Sequence, residues 1–464
     1  MFLYNSATRT KEELTPLQGN EIRLYVCGPT VYDDAHLGHA RSAIAFDLLR
    51  RLLTTLGYHV IFAKNFTDID DKIIAKAVQS GEDVTQIAQR YTQSYLDDME
   101  KIGVQRPTIE PKATQSLDAM LALIATLIEK NKAYSLPSGD VYFSVGDDPA
   151  YGSLSGRCDD EESLARVEHT QAKKDQRDFA LWKSAPEGVS FASPYGPGRP
   201  GWHLECSAMI KQHLALEGEY QIDIHGGGGD LLFPHHENET AQTRCAFDQK
   251  LARFWMHNGF VTINGDKMSK SLGNSFFLKD ALQHHDGEVL RFYLLATHYR
   301  ASLAYNDDDL LSTKKRLDRL YRLKKRVIGS LCSLPHPAEI QKILTPLCDD
   351  LNISSALAAL DEWMTQCNDA LDKTPKDKNL KSSILATITW LNDLLGIGLH
   401  DPIAYFQMGV TPTERQEIES LIQQRSDAKK NKDFARADTI RNDLASRFIT
   451  LMDTPEGTVW EKNT

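Results

Sequence analysis

The chain has no apolar stretch approaching the roughly 20 residues that a bilayer-spanning helix needs, which speaks against a helical membrane protein. It has no excess of basic charge either. Its 53 lysines and arginines stand against 64 acids, a net charge of −11, so any nucleic-acid partner must be met by local basic patches rather than by the whole molecule. Cysteine is scarce: seven residues, at 27, 158, 206, 245, 332, 348 and 367, are odd in number and too dispersed for a disulfide framework. They read as reduced thiols. The opening residues, MFLYNSATRTKEEL, lack a basic segment followed by an apolar one, so no membrane association and a cytoplasmic location are expected. Repeats and low-complexity tracts are also missing. What remains is a chain of 464 residues, 41% apolar and 25% charged, long enough for two to four domains with real cores.

The most informative stretch is YVCGPTVYDDAHLGHARSAIAFDLLRRLL, residues 25 to 53. IRLYVCG reads as a short apolar strand, GPT as a turn and ARSAIAFDLLRRLLTTLG as a helix ending at Gly57; YHVIFAKNFTD then reads as a second strand. Strand, helix and strand at this spacing predict a doubly wound α/β domain with its ligand beyond the strand C-termini. Cys27, His36 and His39 all fall there. A helix N-terminus offers unpaired N–H groups and a positive dipole to a phosphate, and imidazoles on its first turn can donate to phosphate oxygens. Gly38 between them would let a flat base approach the backbone.

More than 200 residues downstream, NGDKMSKSLGN sets Lys267 and Lys270 three apart in a loop rich in small residues, where two ammonium groups can surround a polyphosphate. The pair formed by His-Leu-Gly-His and Lys-Met-Ser-Lys-Ser, in this order, resembles the signature of class I aminoacyl-tRNA synthetases. The resemblance implies that His36 and His39 contact ATP phosphates, that Lys267 and Lys270 belong to the catalytic set, and that Lys270 stabilises the transition state of adenylate formation. Other segments concern the amino acid. Cys27, Cys206 in GRPGWHLECSAM, and His235 and Glu239 in HGGGGDLLFPHHENE form a chemically suitable tetrahedral zinc set, with His235 and Glu239 four apart on one face of a helix starting after Pro234. The pieces do not form a local C-x-x-C finger, so spacing alone is a weak signal and favours buried structural cysteines.

YVCGPTVYD, GWHLECSAM, HGGGGDLLFPHHENE and KMSKSLGN together resemble the cysteinyl-tRNA synthetase family over nearly the whole chain. That resemblance implies one zinc ion per chain held by Cys27, Cys206, His235 and Glu239, and ATP used with Mg2+. It also implies activation of L-cysteine to cysteinyl-adenylate with release of pyrophosphate, followed by transfer to the 3′ end of tRNA-Cys. A metal that stabilises a thiolate would reject serine, whose hydroxyl is far harder to ionise. Gly28, Thr67 and Trp202 match positions near the bound amino acid. The glycine run 225 to 230 is read as a loop on which a nucleotide lies against Gly227 while Asp230 accepts from ribose hydroxyls. Tyr195 stands where relatives often carry tryptophan.

The resulting fold class is α/β: a class I synthetase Rossmann-like catalytic domain with a connective insertion, an α-helical bundle and a small mixed α/β C-terminal domain. The expected boundaries are 1–115 and 195–262 for the two catalytic halves, 116–194 for the insertion, 263–309 for the lysine-loop junction, 310–400 for the bundle and 405–464 for an anticodon-binding tip. A monomer is expected. TKKRLDRLYRLKKRV places basic residues at 314, 315, 316, 319, 322, 324, 325 and 326, a candidate tRNA contact. TERQEIESLIQQRSDAKKNKDFARADTIRNDLASR reads as one helix before a strand-turn-strand ending, and Arg436, Asp443 and Trp460 are candidate anticodon contacts. Two rival readings are a cysteine ligase of mycothiol biosynthesis, which lacks a full tip, and a non-catalytic RNA-binding paralogue, which would not need both signatures intact.

Overall fold

A computed structural model describes residues 1–157, 173–263, 266–267 (backbone only), 276–331, 333–454 and 457–462. The chain divides into two compact units, residues 1–311 with 341–360, and residues 312–340 with 361–464.

The first unit is built on four parallel strands. β1 (Glu21–Val26) leads into α1 (Leu37–Thr55), which returns to β2 (His59–Lys64). α2 (Val84–Lys101), α3 (Leu117–Glu129) and α4 (Trp202–His213) precede β3 (Tyr220–Gly228). α5 (Glu237–Phe247) then leads to β4 (Lys250–Asn258). The strand order is β4-β3-β1-β2, every neighbouring pair parallel. The strands are continuous apolar runs because helices cover them on both faces: Ile22, Leu24, Tyr25, Val26, Ile222 and Ile224 are fully buried.

The glycine run behaves differently from the sequence reading. Gly226, Gly227 and Gly228 lie within β3 rather than in a loop. A Cβ on Gly226 would sit 2.2 Å from the Phe46 ring, and one on Gly227 would sit 2.9 Å from His236 and Leu231. The glycines let α1 and the histidine-bearing segment pack closely on the strand.

Beyond α3 comes a four-stranded antiparallel sheet, Ala133–Ser135, Val141–Phe143, Phe179–Ser184 and Gly198–Pro200. Its last strand lies past residue 194, the expected end of the insertion. Met120, Leu123, Ile124 and Leu127 of α3 share one hydrophobic core with Tyr25, Cys206 and Ala241, so this region is continuous with the sheet's own core.

After the lysine loop come α6 (Leu278–His284) and α7 (Gly287–Leu295). Arg291 of α7 is fully buried and donates to Asp47 of α1, as does Arg51 at 2.7 Å. The backbone N–H of Gln105 donates to the same carboxylate at 2.9 Å, and Arg291 also donates to the Gly103 carbonyl at 3.0 Å. One carboxylate thus neutralises two buried guanidinium groups. Removing it takes away the counter-charge they share, so Asp47→Asn is expected to cost about 3–5 kcal/mol of stability, measurable as a lowered denaturant midpoint. A loss below about 1 kcal/mol would contradict the network's role.

The helical region comprises α8 (Asp307–Arg326), α9 (Pro337–Leu347), α10 (Ile353–Lys373) and α11 (Lys378–Leu395). In the second unit, much of the basic row on α8 is already spoken for. Lys314 pairs with Asp318, Arg316 and Arg319 with Asp361, Arg326 with Asp372 and Lys325 with Glu461, while Lys324 donates to the carbonyls of Gly398 and His400. These partners lessen the case for this row as an RNA contact.

The C-terminal segment contains two helices rather than one. α12 (Pro412–Lys430) opens on a Thr411/Glu414 capping box; the chain breaks at Lys432, φ 62°, and Asp433 caps α13 (Phe434–Ser446) by accepting from the Arg436 N–H. The antiparallel hairpin β5 (Ile449–Thr454) and β6 (Gly457–Lys462) follows. Trp460 is buried with Ile418, Ile440, Leu444 and Ile449, which corrects its expected role. Its ring closes the tip's core instead of facing solvent, because the hairpin needs a large apolar anchor against two helices. Arg436 is exposed and Asp443, half-exposed, pairs with Arg447 at 3.1 Å; the large exposed aromatics of this region are Phe434 and Phe448.

Candidate active site at the strand ends

The C-terminal ends of β1 and β3, the start of α1 and the segment around α4 and α5 place most of the chemically active side chains together. β1 ends at Val26, so Cys27 is the first residue past the sheet. Gly28 follows because no other residue fits: a Cβ there would lie 1.5 Å from the Asn65 carbonyl oxygen, while its N–H donates to the Asn65 side chain at 2.8 Å.

His36 is the N-cap of α1. Its Nδ1 accepts from the His39 N–H, and the His39 Nδ1 accepts from the His36 N–H, each at 3.3 Å. The two rings stack at 3.7 Å and 13°. Because each Nδ1 accepts, each neutral ring carries its proton on Nε2, a donor pre-set at a helix N-terminus. Gly38 makes room for this stack, since a Cβ there would meet the His36 ring at 2.9 Å. Its absence of side chain serves the histidines first.

Lys267 lies in a two-residue strand paired with Thr262; Lys270 lies outside the described residues. The chain downstream is fastened to the head of α1. Leu278 N–H donates to Ala35, Leu37 N–H to Phe276, and Lys279 pairs with Asp34.

Deeper in, Cys27, Cys206, His235 and Glu239 converge. Cys27 Sγ stands 3.6 Å from Cys206 Sγ and 3.6 Å from Glu239 Oε1; His235 Nε2 stands 3.6 Å from Cys206 Sγ and 3.0 Å from Glu239 Oε1. These side chains are buried apart from the partly exposed Cys27. The helix expected after Pro234 starts only at Glu237, and His235 sits in an irregular turn before it, yet the pair still meets. A second set, Cys27, His225, His236 and Glu239, is also within coordinating reach.

Several residues of this centre were not singled out from sequence. His225 Nε2 is 2.7 Å from Glu239 Oε2, His203 Nδ1 is 3.0 Å from His235 Nδ1, and His236 Nδ1 is 2.8 Å from His257 Nε2, whose other nitrogen reaches Ser6. Histidine content of GWHLE, DIHGG, FPHH and WMHN was the available signal; alternation alone did not reveal that all point inward. Burial lowers the His203 and His236 pKa values well below the ordinary range and pushes His257 down to about 3, so these rings are neutral. Burial works against ionisation of Glu239 too, but His225 and His235 overcome it and hold the carboxyl well below its usual value. For His235 burial is outweighed by Glu239 and Cys206, which lift it to about 10. Burial opposes the Cys206 thiolate as well; contacts with Cys27 and His235 pull the thiol to about 6, whereas burial drives Cys27 upward.

Around this centre Trp202, 40% exposed, stacks on His235 at 4.2 Å and forms an aromatic wall rather than core. Thr67 is buried and donates to Glu205 at 2.6 Å. Asp230 is exposed just past β3, with Gly227 buried in the strand behind it.

Comparison with known proteins decides among the readings. The family model "tRNA synthetases class I (C) catalytic domain" matches residues 13–315. A protein of Wolinella succinogenes named cysteine–tRNA ligase is 59% identical over 99% of both chains. The chain belongs to the cysteine–tRNA ligase family. Bearers of the same name from Nitratiruptor and Helicobacter pylori are 58% and 54% identical over 100% of both chains. The protein is thus an aminoacyl-tRNA synthetase, a ligase of class I. Among solved structures, a Mycobacterium tuberculosis methionyl-tRNA synthetase in complex with methionyl-adenylate superposes with a TM-score of 0.62 at 14% identity, covering 86% of this chain and 95% of that one. A leucyl-tRNA synthetase ternary complex from Agrobacterium radiobacter gives 0.60 over 83% and 85%. At such identity these two show the shared fold. No helix among the described residues is long and apolar enough to cross a membrane.

Proposed function

We propose that the protein activates L-cysteine with ATP and transfers it to tRNA-Cys, and that a zinc ion held by Cys27, Cys206, His235 and Glu239 selects the substrate. The observation carrying this reading is the spacing of the four donors. Ligands about 2.0–2.3 Å from a tetrahedral zinc are separated from one another by about 3.3–3.8 Å; the Cys27–Cys206, Cys27–Glu239 and Cys206–His235 separations of 3.6 Å fall in that range, and His235–Glu239, at 3.0 Å, is slightly shorter. Two sulfurs, one imidazole and one carboxylate are a suitable zinc set. The alternative set uses one sulfur and would displace Glu239 from its bond to His225. In the preferred set, His203 and His225 stand behind His235 and Glu239 as outer partners that fix ring and carboxylate orientation.

When bound, zinc supplies a soft cation that favours a substrate thiolate over a serine hydroxyl. The rest is done by the chain. Trp202 and the strand end at Gly28 bound the amino-acid pocket, and Thr67 buttresses it through Glu205. Asp230 receives ribose hydroxyls, and the close packing at Gly227 leaves backbone accessible to the nucleotide. The Nε2–H groups of His36 and His39 meet the phosphates of ATP, which carries Mg2+, while Lys267 and Lys270 neutralise the departing pyrophosphate as its charge develops.

In this reading the expected domains divide the labour: 1–115 with 195–262 for activation, the 116–194 region, whose sheet runs on to Pro200, for the tRNA acceptor end, 263–309 as junction, 310–400 as bundle and 405–464 as tip. Arg436, Asp443 and the exposed Phe434 and Phe448 are the tip residues disposed to meet unpaired bases. The protein is proposed to act as a cytoplasmic monomer. Truncation near residue 400 should leave cysteine-dependent ATP–pyrophosphate exchange within a few-fold of the full chain while cysteinylation of tRNA-Cys falls by orders of magnitude. Undiminished charging by the truncated protein would contradict this assignment.

A further inference from the structure

Lys64, the last residue of β2, and the three residues after it look two ways. Strand alternation sends Asn65 and Thr67 to the cysteine-bearing side, where they bond Gly28 and Glu205, and sends Lys64 and Phe66 to the opposite face. On that face lies a separate cavity of about 300 Å³, enclosed by Phe62, Lys64, Phe66, Tyr95, Met99 and Pro107 among others. Its size is at the lower end of ligand pockets, and its walls are mainly apolar.

Its one buried cation is Lys64; Arg106, exposed and paired with Glu110, and the exposed Asp97 and Glu100 also line it. Lys64 is 9% exposed, and its Nζ donates to the Tyr95 hydroxyl at 2.6 Å while lying 5.3 Å from the Tyr95 ring centre. Among the described residues no carboxylate forms an ion pair with it, and its other two ammonium donors have no protein acceptor. Because Lys64 donates, the Tyr95 oxygen accepts, and the phenol proton remains available. A chamber of mainly apolar walls, with a buried ammonium that forms no ion pair among the described residues beside a phenol donor, suits one ligand type, since Glu110 is already paired with Arg106 and Asp97 and Glu100 are exposed to solvent. A carboxylate can take both donors, and an apolar body can take the walls.

We propose that this cavity is a binding site for a small amphipathic carboxylic acid, its carboxylate on Lys64 Nζ and Tyr95 Oη and its apolar portion against Phe62, Phe66 and Met99. A polyphosphate is poorly matched, since a single buried cation cannot neutralise it. The cavity shares Lys64 and Phe66 with the segment that carries Asn65 and Thr67.

The test is a calorimetric titration of the full chain with phenylacetate and with phenylacetamide, its neutral isostere. Both are run with the cysteine and ATP sites filled by a non-hydrolysable cysteinyl-adenylate analogue. Saturable one-to-one binding of the acid, at least about tenfold tighter than the amide, is expected. In Lys64→Met that preference should disappear, and in Tyr95→Phe it should shrink. Equal affinities for acid and amide, no saturable binding of the acid at millimolar concentration, or a preference that survives Lys64→Met would overturn the proposal. Should Lys64→Met fail to fold, the acid-to-amide ratio of the unaltered protein decides alone.

Discussion

Cys206→Ser should abolish both zinc retention and cysteine activation while leaving the fold intact. Serine keeps the size of the side chain roughly constant at a position that is 2% exposed, so packing changes little. The donor changes profoundly, from a thiol drawn down to about 6 to a hydroxyl that does not ionise near neutrality. Loss of a direct ligand should exceed the 10–100-fold reduction in metal affinity typical of outer-shell changes. The expected result is a protein with native circular dichroism, less than one-tenth of the zinc content and no measurable cysteine-dependent ATP–pyrophosphate exchange. Normal exchange in this variant would show that the two cysteines are structural.

Lys270→Ala should lower the rate of adenylate formation by about 100- to 1000-fold, with a much smaller change in ATP affinity. In the proposed role of Lys270, an ammonium that meets pyrophosphate charge only as it develops would contribute chiefly in the transition state. Downstream of the loop, the chain is pinned to the head of α1 by the Leu278–Ala35 and Leu37–Phe276 backbone bonds and by the Lys279–Asp34 pair. Upstream, the strand of Lys267 pairs with Thr262. The downstream stem therefore lies at the head of α1, where the histidine pair sits. Single-turnover kinetics separates the terms: equal losses in rate and affinity would assign Lys270 to ordinary substrate binding.

The sequence revealed the frame because its local signals agreed with the tertiary outcome. IRLYV followed by a glycine-proline turn and a long apolar-periodic helix could form little other than β1 and α1, and the helix start carried its own histidine cap. Cys27 at the strand end was equally legible. The glycine run was misread because glycine signals both loops and close packing, and only the positions of Phe46 and His236 distinguish the two. The C-terminal helix was read as continuous because Lys432 disguises the break; lysine rarely takes the positive φ seen there. Trp460 shows the same limit from the other direction. A lone tryptophan near a terminus fits stacking or core equally well until its neighbours, Ile418 and Leu444, are known. The histidines behind the candidate metal ligands were hidden because they come from segments far apart in sequence, and their mutual contacts arise only when α4, β3 and β4 converge.

The central claim is that cysteine recognition depends on zinc held by Cys27, Cys206, His235 and Glu239. Its most direct test is metal content and ATP–pyrophosphate exchange, with cysteine and with serine, on one preparation before chelation, after it and after restoring zinc. The account predicts one zinc per chain and exchange strongly selective for cysteine, lost with the metal and regained on its return. Undiminished, cysteine-selective exchange in the metal-free protein would contradict it.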